Sequence, residues 1–197
     1  MSGAVIDFPR GQFGTIYCDP PWHYEMYSDK GYDKSPDAHY GCMSREDLLS
    51  MRDDVLFATA PDAVCFMWAV WPKINEAIEI MEHWGFKFKT GGAWHKRSST
   101  FEHGCDDPKS AFGTGYIFRS ASEPFLIGTV GNPEIKNKST RNIIEEAVRE
   151  HSRKPDCVYD MIEKLFNGAY LELFSRNERA GWSCWGNEVG KHGEVLS

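Results

Sequence analysis

The chain has 197 residues, of which 41% are hydrophobic and 26% charged, which suits one folded domain over residues 1–197 and excludes a disordered protein. A formal net charge of −7 excludes wholesale electrostatic capture of a nucleic-acid backbone and leaves only local basic patches for that work. No signal peptide and no apolar run of membrane length is visible, and the six cysteines form no CxxC pair, so the expectation is a cytoplasmic protein with reduced thiols, no membrane and no zinc.

The first predicted strand is Thr15-Ile16-Tyr17-Cys18, which runs into Asp19 and stops at Pro20 and Pro21, because proline cannot donate to a ladder. Residues 23–42 are polar and rich in Tyr, Gly and Asp, and read as a long loop. Ser44 is a candidate N-cap with Asp47 as its capping-box partner, for a helix carrying Leu48, Leu49, Val55 and Leu56 inward with a break near Arg52. Residues 63–69 are continuously apolar and suit a strand covered on both faces. Pro72 opens a helix to about Trp84, with Gly85 as its stop.

Residues 86–94 read as the next strand, and 97–114 as a second loop. Residues 116–120 and 124–130 read as two strands around a turn at Ser122. Residues 142–149 fit a short helix or an extended segment equally. Pro155 opens a helix to about Phe166, Tyr170–Phe174 is a strand, and 182–186 is a candidate for another. Strands alternating with helices indicate an α/β sheet with helices on both faces and ligands beyond the strands' carboxyl ends. The absence of GxGxxG excludes an ordinary dinucleotide or P-loop enzyme.

Asp19-Pro20-Pro21-Trp22, at the end of an apolar strand, is the sharpest local signal. Successive prolines fix the backbone, so a carboxylate and the Pro20 carbonyl can meet the two hydrogens of an exocyclic amine, while Trp22 can stack on its ring. Lys87, Lys89, His95, Lys96 and Arg97 form one basic cluster for nucleic-acid backbone, and Arg119 with Lys136, Lys138 and Arg141 a looser one. Trp is a costly way to fill a core, so the seven rings are read either as core packing or as stacking surfaces.

From about Phe13 to Glu188 the sequence resembles the adenine-N6 methyltransferases related to the catalytic subunit of the eukaryotic messenger-RNA adenosine methyltransferase, a family with bacterial and bacteriophage members. The resemblance is carried by residues 15–22, by His39-Tyr40-Gly41-Cys42-Met43, by the strand ending in Met67-Trp68, and by 112–116 with Glu123. It continues through Ser152-Arg153-Lys154-Pro155-Asp156, Leu171-Glu172-Leu173-Phe174-Ser175-Arg176 and Trp185-Gly186-Asn187-Glu188.

This resemblance implies a Rossmann-like methyltransferase fold of mostly parallel sheet with permuted motif order, and S-adenosyl-L-methionine as cofactor. It implies catalytic roles for Asp19, Pro20, Pro21, Trp22 and Tyr40, with Tyr40 lining the adenine pocket. It places Asp19 on the cofactor's ammonium, Lys154 on its carboxylate, Arg176 and the following Asn177 on the ribose, and Asn187 near ribose and adenine. Glu172 and Phe174 would lie beside the cofactor. The sequence departs from the large RNA enzyme at Asn177-Glu178-Arg179, where that enzyme carries a histidine-asparagine pair, and at Glu188, where it has glutamine.

The length and the lack of a second nucleic-acid-binding domain favour a bacterial or phage enzyme acting on DNA, in a host cytoplasm if phage-encoded. Target capture then falls to this domain, a self-partner or an accessory subunit. RNA adenosine methylation is the first alternative. A non-catalytic scaffold that binds nucleic acid or protein is the second, disfavoured by the intact Asp19 loop and Lys154.

Overall fold

The computed structural model describes residues 7–23, 42–104, 106, 109–113, 115, 117–150 and 152–195. Its centre is β1 (Phe13–Cys18) and β2 (Thr59–Trp68), paired in parallel. Both strands alternate strictly between two cores. Ile16, Cys18, Cys65 and Met67 face one side, while Tyr17, Val64, Phe66 and Trp68 face the other. That two-sided burial explains why residues 63–69 show no polar alternation.

The first face is covered by α1 (Arg45–Ser50), α2 (Arg52–Ala58) and α3 (Ile74–His83), whose Leu48, Val55, Ile80 and Met81 are fully buried. The capping box forms as expected, with Ser44 Oγ accepting from the Asp47 N–H at 3.1 Å and Asp47 accepting from the Ser44 N–H at 2.9 Å. The helix break falls at Met51, beside Arg52. Residues 71–73 make a single 3₁₀ turn before α3, and Gly85 takes φ +95° after it. The second face is covered by α4 (Cys157–Leu165), through Val158, Tyr159 and Ile162.

Among the described residues the sheet has seven strands. The remaining ones are β3 (Lys87–Arg97), β4 (Ser122–Val130), β5 (Ile143–Ala147), β6 (Tyr170–Leu173) and β7 (Trp182–Trp185), in the order β5-β3-β4-β2-β1-β6-β7. Four neighbouring pairs are parallel, and only β4 runs against its partners β2 and β3. The expected mostly parallel sheet with helices on both faces is the one found.

One sequence reading is corrected and one open reading is decided. Residues 117–120 are not a strand. The β4 ladder is filled on both edges by β2 and β3, and the preceding segment keeps only a bridge from Ser120 to Gly113. Ile117 and Phe118 are exposed and bury no face that could hold a strand. The undecided segment 142–149 is extended, because β3 offers Trp94–Arg97 as a parallel edge. Among the described residues, no helix is long and apolar enough to cross a membrane.

Candidate active site

The carboxyl ends of β1, β2, β6 and β7 meet the start of β4 at one edge of the sheet. There they enclose a cavity of about 310 Å³ lined by Asp19, Pro20, Pro21, Trp22, Val70, Glu123, Lys154, Phe174, Arg176, Trp185 and Asn187, among others. Strand order divides it. Val70 and Glu123 lie on the β2–β4 side of Asp19, and Phe174, Trp185 and Asn187 on the β6–β7 side.

Asp19 sits at the end of β1, where Oδ2 accepts from Lys154 Nζ at 2.8 Å and from Arg176 Nη2 at 2.6 Å. Both contacts fall on one oxygen. Oδ1 is left for another donor. Lys154 reaches Glu123 Oε1 at 2.9 Å, and Glu123 Oε2 takes Lys96 Nζ at 2.6 Å. Five charged groups thus form one chain, Lys96–Glu123–Lys154–Asp19–Arg176.

Burial pushes the Glu123 carboxyl up, but Lys154 and Lys96 overcome it and hold it down at about 2. Burial likewise works against the Lys154 ammonium, and Asp19 and Glu123 outweigh it and raise its pKa. The sequence reading places Glu123 in the resemblance but gives it no role in the site. Its signal was a carboxylate directly before Pro124 in an apolar strand, which needs partners once buried.

The Asp19 loop is pinned from behind. The Pro20 carbonyl already accepts the Trp22 N–H at 2.8 Å, leaving one lone pair for an amine, and the Pro21 carbonyl accepts the Met43 N–H at 3.0 Å. Trp22 lines the cavity, but it is only 5% exposed and its indole N–H donates to the Trp68 carbonyl at 3.3 Å, so it also anchors the loop in the core. Across the site, Phe174 takes φ +61°, and so does Ser152, whose carbonyl accepts Arg176 Nη2 at 2.9 Å. Non-glycine residues in that region store strain, which clusters at functional sites. A Cβ on Gly186 would stand 2.8 Å from the Ser175 nitrogen, so only glycine lets the β6 and β7 ends close up here.

Residues 13–188 match the family model MT-A70. The chain belongs to the MT-A70 family.

It is 30% identical over 182 residues to the N(6)-adenosine-methyltransferase MT-A70-like of Arabidopsis thaliana, a match covering 91% of this chain and 24% of that protein. It is 27% identical over 183 residues to human N(6)-adenosine-methyltransferase catalytic subunit METTL3, covering 91% and 28%. It is 30% identical over 201 residues to the type II methyltransferase M.MunI of Mycoplasma sp, covering 92% and 79%. The chain therefore spans about a quarter of the plant and human relatives' length and most of M.MunI.

In this MT-A70 chain, Glu172 is buried at 6% exposure, and its partner is the Tyr159 hydroxyl at 2.8 Å rather than an Arg or Lys. Asn177 donates to the same hydroxyl at 3.1 Å, while its own Oδ1 is buried with no hydrogen-bond partner. Burial raises the Glu172 pKa to about 7 from 4.5. The folded carboxyl keeps its proton to higher pH than the unfolded one, so stability falls as pH rises from about 4.5 to 7. Glu172→Gln should remove that slope, leaving the variant up to about 3 kcal/mol more stable than wild type above pH 7 and equal to it near pH 4. Urea melts at the two pH values test it, and equal shifts at both would show that burial of the charge is not the cause.

The MT-A70 basic cluster does not form as one patch. Lys87 and Lys89 are exposed at the start of β3, about 26 Å and about 20 Å of strand from His95. At the site end, Lys96 is turned to Glu123, and Arg97 and His95 lie 2.8 and 3.4 Å from Glu145. Lys96 and Arg97 are thus spent on carboxylates, His95 faces Glu145, and of the five only Lys87 and Lys89 remain in the solvent, at the far edge. Arg119 is exposed on the segment between β3 and β4, on the site edge. Tyr40 lies outside the described residues.

Proposed function

We propose that this chain transfers a methyl group from S-adenosyl-L-methionine to N6 of adenine in DNA. The observation that carries the reading is Asp19, a carboxylate fixed through Oδ2 by two cations in a cavity, with its other oxygen left for an incoming donor.

The residues present fit the cofactor. Lys154 and Arg176 supply positive charge for a carboxylate, and Asp19 negative charge for an ammonium, as an amino-acid end requires. Phe174 and Trp185, with rings 5.9 Å apart, give an apolar wall. Asn177 Oδ1 awaits a donor such as a hydroxyl, in a small second cavity that shares Asp19, Lys154, Phe174 and Arg176 with the first. When bound, S-adenosyl-L-methionine supplies an electrophilic methyl whose leaving group is a neutral thioether.

The protein's part is orientation and charge. Asp19 Oδ1 and the free lone pair of the Pro20 carbonyl accept the two amine hydrogens, which turns the nitrogen lone pair toward the methyl. The same oxygens stabilise the positive charge that develops on nitrogen. The proton is lost from a strongly acidic cation, so a carboxylate suffices to take it. Lys96 and Glu123 hold Lys154 in place from the β4 side.

The DNA reading is supported by the likeness to M.MunI, a type II methyltransferase of Mycoplasma sp, at 30% identity over 201 residues. The free Cys18 and Cys65 suit a reducing cytoplasm. The test is calorimetry with S-adenosyl-L-methionine, followed by methyl transfer to DNA and RNA oligonucleotides of matched sequence. Transfer to DNA is the expected outcome. Transfer to RNA alone would move the enzyme to the RNA branch, and cofactor binding with transfer to neither would leave a scaffold.

A further inference from the structure

We propose that Trp71 is a stacking platform for the nucleobase next to the target adenine, an inference that rests on the nucleic-acid reading above. Of the seven tryptophans, Trp22, Trp68, Trp84 and Trp94 are buried and spend their indole N–H groups on internal acceptors. Trp182 stacks on Tyr170 with ring centroids 4.8 Å apart, and Trp185 lines the cofactor side of the cavity. Trp71 alone among them is set outside the core, 52% exposed.

Its place is defined by two chain neighbours. Val70 and Glu123 line the cavity on the side away from Phe174 and Trp185. Trp71 follows Val70, Ser122 precedes Glu123, and the Trp71 Nε1–H donates to Ser122 Oγ at 3.1 Å. The indole therefore stands at the cavity's rim, on the acceptor half.

The ring is also held in advance. The Trp71–Lys73 3₁₀ turn is closed by the Lys73 N–H on the Val70 carbonyl at 2.9 Å, with Pro72 fixing the next φ. The Ala69 N–H on the Pro124 carbonyl at 3.0 Å ties the turn to β4. An exposed indole fixed at both backbone and Nε1 has already lost its rotamer freedom, so a ligand that covers it need not pay that ordering again. An adenine drawn into the cavity leaves its stack, and its neighbour in the strand loses a partner at the rim. An indole face can replace that partner for any base, which makes the contact sequence-tolerant.

The experiment measures kcat/KM on single-stranded oligonucleotides carrying one adenine in a randomised context, with the adjacent nucleotides intact or abasic. Wild type, Trp71→Ala and Trp71→Phe are compared, with calorimetric Kd for S-adenosyl-L-methionine, melting temperature and mass by light scattering. Trp71→Ala should raise KM at least about tenfold on the intact strand with cofactor Kd and melting unchanged, and Trp71→Phe should recover most of it. The abasic neighbour should cost wild type a similar factor and cost Trp71→Ala nothing further. Equal KM for wild type and Trp71→Ala, or abasic losses that are the same in both, would overturn the platform. So would a fall in mass on Trp71→Ala, which would assign the ring to self-association. A wild type that methylates no oligonucleotide would overturn the acceptor reading, and the platform with it.

Discussion

Asp19→Asn should lower methyl transfer on the order of 10³-fold, with the fold retained. The substitution keeps the side chain's volume and one carbonyl oxygen but removes the charge on which Lys154 and Arg176 converge. Those two cations would then lie close to each other without the carboxylate between them, with Glu123 still beside Lys154. The amine of adenine would meet an amide that can present its own N–H, so one of the two acceptors that orient the nitrogen is lost. Single-turnover kinetics with saturating cofactor measure the chemical step, and circular dichroism checks the fold. A variant with wild-type single-turnover rate would remove Asp19 from the chemistry.

Lys154→Met should destabilise the protein by about 3 kcal/mol at pH 7, the low end for breaking a buried pair, because Asp19 keeps Arg176 and Glu123 keeps Lys96. Methionine fills much of the same volume, so the loss is electrostatic rather than a cavity effect. The ammonium lies 5.5 Å from the centre of the Trp68 ring and is 10% exposed, and both Asp19 and Glu123 depend on it. The loss should carry a pH signature. In the wild type the Glu123 pKa is about 2, below its unfolded value of 4.5, so its contribution is full above about 4.5 and fades as pH falls through 2. Without Lys154 that carboxyl takes up its proton at higher pH, so the gap between variant and wild type should narrow as pH drops from 7 toward 4. Chemical melts across that range test it. A gap independent of pH would mean that Lys154 stabilises by packing alone. Cofactor affinity should fall as well, by about 1.5–3 kcal/mol for the lost charged hydrogen bond.

The sequence carried the local structure well wherever a local rule decided it. Ser44 and Asp47 capped α1, two prolines ended β1 at Asp19, and Gly85 took the positive φ that closes α3. It failed where long-range pairing decided. Ile143–Ala147 became a strand because β3 had a free edge, and residues 117–120 stayed out of the sheet because β4 had none. The site shows the same division. Asp19, Lys154, Glu172 and Arg176 stood out by residue type in apolar or constrained settings, but Asp19 lies 135 to 157 residues from the other three, and only the sheet brings them together. Glu123 was missed because its meaning lies wholly in Lys96 and Lys154, contributed by β3 and the segment before α4. The basic run 87–97 misled for the opposite reason. Closeness in sequence becomes distance on an extended strand, and Lys96 turned out to be part of the site's ion chain.

Nucleoside mass spectrometry on DNA and RNA from cells expressing either the wild type or Asp19→Asn tests the central claim most directly. The account predicts N6-methyldeoxyadenosine in DNA with the wild type and none above background with the variant. Equal N6-methyladenine in the two cultures, or none in either nucleic acid with a folded wild-type protein, would contradict it.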